Sequence, residues 1–190
     1  YISNIPSSVE EGISSIRTDL EKIEQEYVLF SLRGKESCAI LPSIADEIAS
    51  KLNSVVNELI KLENKGETGS RFVELKKTYA SLSIRAWILR SAINENCEQN
   101  ILPILYYYSI PCEDCIKQGN ILDNMRNRFN SNISIYVLDK NIDLQIVKTL
   151  VKSHDVHETP TLVIGDVIRQ GLVNEGNFTI IVCEKLNMTC

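Results

Sequence analysis

"YYYSIPCEDCIKQ", residues 106–118, holds two cysteines, Cys112 and Cys115, with Glu113 and Asp114 between them. Behind the pair, "ILPILYYYS" (101–109) is β-branched, aromatic and apolar, the composition of a strand buried on both faces. Ahead of it, 112–130 reads as a helix with Ile116, Ile121, Met125 and Phe129 as buried positions. A cysteine at such a junction meets the free N–H groups and the positive end of a helix, which stabilise a thiolate. The first sulfur of the pair is then exposed and can attack, while the second, one turn on, can resolve a mixed disulfide. Two other readings compete, half of a metal site and a structural crosslink. A zinc site needs a second pair of ligands. His154 and His157 could supply them, but Cys183 and Cys190 lie seven apart, not a usual ligand spacing. No metal and no cofactor is expected.

Downstream, "ISIYVLD" (133–139) reads as a second strand and 142–154 as a helix bearing Ile142, Ile146, Val147 and Leu150. "TLVIGDVIRQGLV" (161–173) reads as a hairpin turning at Gly165-Asp166. A strand–helix–strand order implies parallel pairing with a right-handed crossover. The tail "NEGNFTIIVCEKLNMTC" is ambiguous, because "TIIV" suits a strand while Phe178, Ile181, Val182 and Leu186 share one helical face. A helix is expected, since the sheet otherwise lacks cover on that side.

"HETPTLVIG" (157–165) completes the pattern. With the cysteine pair before it, the stretch from about residue 100 to 190 resembles the thioredoxin superfamily, which joins a CxxC at a strand-to-helix junction to a proline introducing a later strand. The resemblance implies a cis bond between Thr159 and Pro160, facing the cysteines, and a protein disulfide oxidoreductase activity. It assigns catalysis to Cys112 and Cys115 and substrate binding to Thr159 and Pro160, whose exposed backbone could pair with an extended substrate segment. A strand-edge proline without a role is the alternative for Pro160. The sequence departs from thioredoxin, which has Trp before the first cysteine and Gly-Pro between the two; here Pro111 precedes and Glu113-Asp114 intervene. Thioredoxin's buried acid is absent too, with Tyr106 near its place. Glu113 and Asp114 are therefore expected to tune the site, opposing a thiolate on Cys112 while favouring the helix N-terminus. Cys112 should be less acidic than in strongly oxidising relatives. His154 and His157 flank the approach to Pro160 and are expected as surface residues at a helix end.

The first half follows another grammar. Val9, Ile13, Ile16, Leu20, Ile23, Tyr27 and Phe30 alternate four and three apart, as do Leu41 to Leu62 and Leu75 to Ile93. Three antiparallel helices, about 8–32, 38–64 and 70–97, would form an all-α bundle over 1–98, followed by an α/β thioredoxin-like domain over 99–190 with a mixed sheet flanked by helices. Pro42 belongs in a first turn. Residues equidistant from the 64–70 turn should lie side by side, and Cys38 and Cys97 are equidistant to within a residue. A Cys38–Cys97 disulfide is expected, two buried free thiols being the alternative. Cys183 and Cys190 remain for a local C-terminal bridge.

Six cysteines in 190 residues, with an even number left after the CxxC, suit an oxidising, extracytoplasmic compartment. Sequons at Asn132, Asn177 and Asn187 fit a glycoprotein. The chain opens on Tyr1 rather than Met, which is compatible with a processed form preceded by a signal peptide or membrane anchor. With 44% hydrophobic residues the chain can bury a core, and a net charge of -5 without a basic stripe speaks against nucleic-acid binding. The expected partners are protein thiols and disulfides and an unidentified redox partner, with a dimer through the bundle as a further expectation. The competing functional class is a scaffold, in which the bundle binds a partner or membrane-proximal surface and the CxxC domain is redox-quiet.

Overall fold

The computed structural model describes residues 34–189, so the first expected helix, over 8–32, lies outside the described residues, as does Cys190. A short 3-10 turn, Gly34–Ala39, leads into helix α1 (Leu41–Asn64), with Pro42 in its first turn where no intrahelical N–H is lost. Helix α2 (Ser70–Asn96) returns antiparallel to it. Strand β1 (Leu102–Tyr108), helix α3 (Glu113–Phe129), strand β2 (Ile133–Asp139) and helix α4 (Gln145–Ser153) follow. Strands β3 (Thr161–Ile164) and β4 (Val167–Gln170) form a hairpin, and helix α5 (Glu175–Leu186) closes the chain.

The sheet order is β2-β1-β3-β4. β1 runs parallel to β2, from Leu102 opposite Ile133 to Tyr108 opposite Asp139, and antiparallel to β3, with Ile104 opposite Ile164. Gly165 takes a φ of +60° at the β3–β4 turn, a region open to glycine at little steric cost.

The apolar run of β1 is explained by burial on both faces. Leu102, Ile104 and Tyr106 face a core built with α3 and α5, where Leu122, Met125, Phe129, Phe178 and Val182 are buried. Leu105 and Tyr107 point the other way, into a core shared with Ala80 and Ile84 of α2 and Val147 of α4. α2 is therefore apolar on two sides. Leu75, Leu82, Ala86, Leu89 and Ile93 pack on Ile44, Ile48, Val55 and Leu62 of α1, while the small Ala80 and the neighbouring Ile84 let the helix sit close to the sheet. An ion pair from Lys76 to Asp139, 2.9 Å and partly buried, ties the start of α2 to the end of β2.

The tail is helical, as expected. The side chain of Asn174 accepts the Asn177 N–H at 2.9 Å, capping α5, and Phe178, Ile181, Val182 and Leu186 cover the sheet. Two expectations need correction. Ile116 is exposed, because the buried face of α3 runs Cys115, Gln118, Leu122, Met125 and Phe129, and Ile116 lies one residue off that line. α4 begins only at Gln145, leaving Ile142 before it, and Ile146 is exposed while Val147 is buried.

Candidate active site

Cys38 and Cys97 are disulfide-bonded with their Cα atoms 5.5 Å apart, closing the open end of the α1–α2 hairpin. Cys183 is also in a disulfide, and Cys190, its expected partner, lies outside the described residues. The third bridge joins Cys112 to Cys115.

Cys112 is the N-cap of α3. Its extended backbone brings Sγ to 3.0 Å from the Cys115 N–H, which donates to it. That N–H is one of the groups a helix leaves without a partner at its start, so negative charge on this sulfur is stabilised there. Cys115 is buried and Cys112 half-buried. Glu113 and Asp114 occupy the exposed first turn, and Asp114 pairs with Lys117 at 2.8 Å. Cys115 is held from below by Tyr106, whose hydroxyl donates to its carbonyl at 2.7 Å. Burial pushes the Tyr106 phenol up to about 12, so it stays a protonated donor at neutral pH. An uncharged phenol thus stands near the place of thioredoxin's acid.

The β3 side approaches the same sulfur. The carbonyl oxygen of Thr159 lies 3.7 Å from Cys112 Sγ and the Thr159 hydroxyl 3.9 Å from it. The hydroxyl is itself fixed by Ser109 Oγ at 2.6 Å. The Thr159–Pro160 peptide bond is cis, and so is Ile110–Pro111 just before the cysteines. Pro160 is buried, and its carbonyl accepts the Gly171 N–H at 2.8 Å, which anchors the bend to the segment after β4. Gln118, fully buried on α3, locks that segment from the other side. It donates to the Val173 carbonyl at 3.2 Å and accepts the Val173 N–H at 2.8 Å.

The sequence reading missed Gln118, the Tyr106–Cys115 link and the Ser109–Thr159 bond. Only the first left a signal, a polar residue on the buried line of α3. The histidines stand apart from the sulfurs. His154 is half-buried, with Nδ1 2.7 Å from the Tyr107 hydroxyl and its ring edge-on to Trp87, and burial lowers its pKa from the ordinary value. It is a packing residue rather than the surface residue expected. His157 is exposed beside Asp155 at 3.0 Å. Among the described residues no three metal-ligating side chains gather.

A cysteine pair at the β1–α3 junction, a cis-proline against it, and a sheet ordered β2-β1-β3-β4 with helices on both faces define the architecture. Residues 102–186 have a thioredoxin-like fold. The chain matches no family model and no curated protein. Among solved structures it is similar to thioredoxin-2, a component of the malaria parasite protein secretion machinery, at 16% identity over 48% of this chain and 90% of that one, with a TM-score of 0.41. Chloroplastic thioredoxin z matches at 15% identity over 52% of this chain and 87% of that one, with a TM-score of 0.42. A thioredoxin-like protein from Clostridium perfringens matches at 20% identity over 47% and 75%, with a TM-score of 0.41. The Cys112–Cys115 disulfide at the start of α3 is a group whose chemistry is exchange with thiols. No helix among the described residues is long and apolar enough to cross a membrane.

Proposed function

We propose that this chain is a thiol–disulfide oxidoreductase acting on protein cysteines, in an oxidising extracytoplasmic compartment. One observation carries the reading: Cys112 Sγ sits at the N-terminus of α3, bonded to Cys115, with the Thr159 carbonyl 3.7 Å away. From the oxidised state, a substrate thiolate attacks Cys112 Sγ and Cys115 leaves as a thiolate. A second substrate thiolate then attacks the substrate sulfur of the mixed disulfide and displaces Cys112, whose departing charge is supported by the Cys115 N–H at 3.0 Å. Two electrons pass from the substrate dithiol to the pair, and the two substrate protons end on Cys112 and Cys115. Run backwards, Cys112 attacks a substrate disulfide and Cys115 resolves it. Thr159 and Pro160 would hold an extended substrate strand beside the sulfur, and Glu113 and Asp114 would tune the thiolate. The bonded state of Cys38, Cys97 and Cys183 supports the compartment, because such bridges persist where thiols are oxidised. The partners would be protein thiols and disulfides, with a second redox protein resetting the pair.

Dithiol oxidation and insulin reduction test this with Cys112→Ser and Cys115→Ser. Cys112→Ser is expected to abolish both reactions, and Cys115→Ser to accumulate a mixed disulfide visible by mass. Full activity in either variant would favour the scaffold class instead.

A further inference from the structure

Three bulky apolar side chains on segments that flank the cysteine pair and Pro160 are left in water. Ile110, two residues before Cys112, is 71% exposed, and Ile116, one turn after it on the same side of α3, is 70% exposed. Leu172 is 44% exposed and sits between Gly171, bonded to the Pro160 carbonyl, and Val173, bonded to Gln118 of α3. Here the exposed apolar side chains come from the loop before Cys112, the first turn of α3 and the segment after β4 that is bonded to Pro160, an arrangement suited to an interaction surface.

Charge around this patch leans negative. Glu113 follows Cys112 directly. Glu158 precedes Thr159, and its carboxylate lies over Gly171, with Oε1 3.5 Å from where a Cβ would stand. Neither carboxylate forms a salt bridge among the described residues, whereas Asp114 pairs with Lys117 at 2.8 Å, a cation Glu113 also acts on, and Asp155 lies 3.0 Å from the His157 ring. Lys140 donates from Nζ to the His157 carbonyl at 3.2 Å and keeps its positive charge. Glu113, next to Cys112, and Glu158, next to Thr159, therefore bring two carboxylates towards the sulfur from two segments. Both are in sequence positions adjacent to site residues, within the reach over which salt leaves charges unscreened, about 10 Å at 0.1 M.

We infer that the site selects cysteine-bearing polypeptide segments that are both apolar and positively charged next to the cysteine. This rests on the oxidoreductase reading above and names its substrate class. The apolar neighbours of the substrate cysteine dock on Ile110, Ile116 and Leu172, and its Lys or Arg side chains reach Glu113 and Glu158. The same field disfavours acidic segments.

The test uses the reduced protein and three disulfide-linked peptide dimers of equal length, whose cysteine is flanked by Leu and Lys, by Leu and Glu, or by Ser and Lys. In each reaction the Cys112/Cys115 dithiol becomes a disulfide and the dimer becomes two thiols. Each rate is divided by that of dithiothreitol with the same dimer, which cancels the peptide's own reactivity. At low salt the Leu-Lys dimer is expected to react about tenfold faster than Leu-Glu, falling to within about twofold in 1 M salt. The Ser-Lys dimer should be severalfold slower than Leu-Lys. In Glu113→Gln with Glu158→Gln, the Leu-Lys to Leu-Glu ratio should drop to within about twofold, whatever happens to the absolute rate. Equal low-salt rates for the two Leu dimers, or an unchanged ratio in the double variant, would overturn the inference while leaving the oxidoreductase reading intact. No oxidation by any dimer would overturn both.

Discussion

Two disulfides stand at opposite ends of β1 and do opposite work. Cys97 comes before the strand and is bridged to Cys38 across a sequence separation of 59, while Cys112 comes after it and is bridged to Cys115 across a separation of 3. The seven residues of β1 put roughly 20 Å between the two ends. In the chain-entropy picture the long loop stabilises the fold by about 4 kcal/mol, and the short one by less than half of that. The long bridge fastens the hairpin whose second helix packs against the sheet. The short bridge restrains little of the unfolded chain, so opening it leaves the fold standing. On the proposed reading the short bridge is the one that turns over, and its low contribution to stability suits that role.

The sharpest way to break this comparison is to remove each bridge in turn. Cys38→Ala with Cys97→Ala should lower unfolding free energy by about 2–5 kcal/mol in denaturant titrations, with thiol exchange per folded molecule within about twofold of the parent. Cys112→Ala with Cys115→Ala should cost clearly less stability and lose all exchange. A larger loss for the second pair would reverse the assignment.

A smaller effect belongs to the polar ties at the Cys112 end. Gln118→Met keeps the volume but leaves the buried N–H and C=O of Val173 unpaired, and should cost about 2 kcal/mol. Because Val173 borders the segment that holds Pro160, amide exchange at 171–173 should rise more than in α1 or α2. Uniform loosening would mean that Gln118 merely fills space.

The smallest effect distinguishes the far face of the sheet by pH. Burial lowers the pKa of His154, so its neutral form is the folded form. The unfolded chain binds the extra proton from the ordinary histidine value near 6.5 downwards. Stability from this group is therefore full above that pH and falls as pH drops towards the folded value. His154→Gln should flatten the acid side of a stability profile below about pH 6.5, without changing the site's response to reductant.

How much was legible differs between the two ends. The Cys38–Cys97 bridge follows from counting residues about the turn, because antiparallel helices of equal rise place equidistant positions together. The strand before the cysteines is legible because a strand covered on both faces must be apolar throughout. Ile116 misled because helical spacing alone does not say which of two adjacent apolar residues faces the sheet. The double-sided packing of α2 was invisible for a related reason: Ala80 and Ile84 lie off the seam from Leu75 to Ile93, and only the sheet beside them gives them a partner.

The amino-acid order alone determined the sequence of helices and strands after residue 34 (though not where α4 starts), which sulfurs lie at a helix's positive end, and which cysteines can meet across a hairpin. These depend on periodicity and on neighbours within a turn or two. Tertiary structure decided that the Thr159 carbonyl faces Cys112 from 47 residues away, that Tyr106 and Gln118 supply the polar ties, and that Ile110, Ile116 and Leu172 are left exposed. Those contacts join segments distant in sequence, and their geometry is set by how the sheet stacks against its helices.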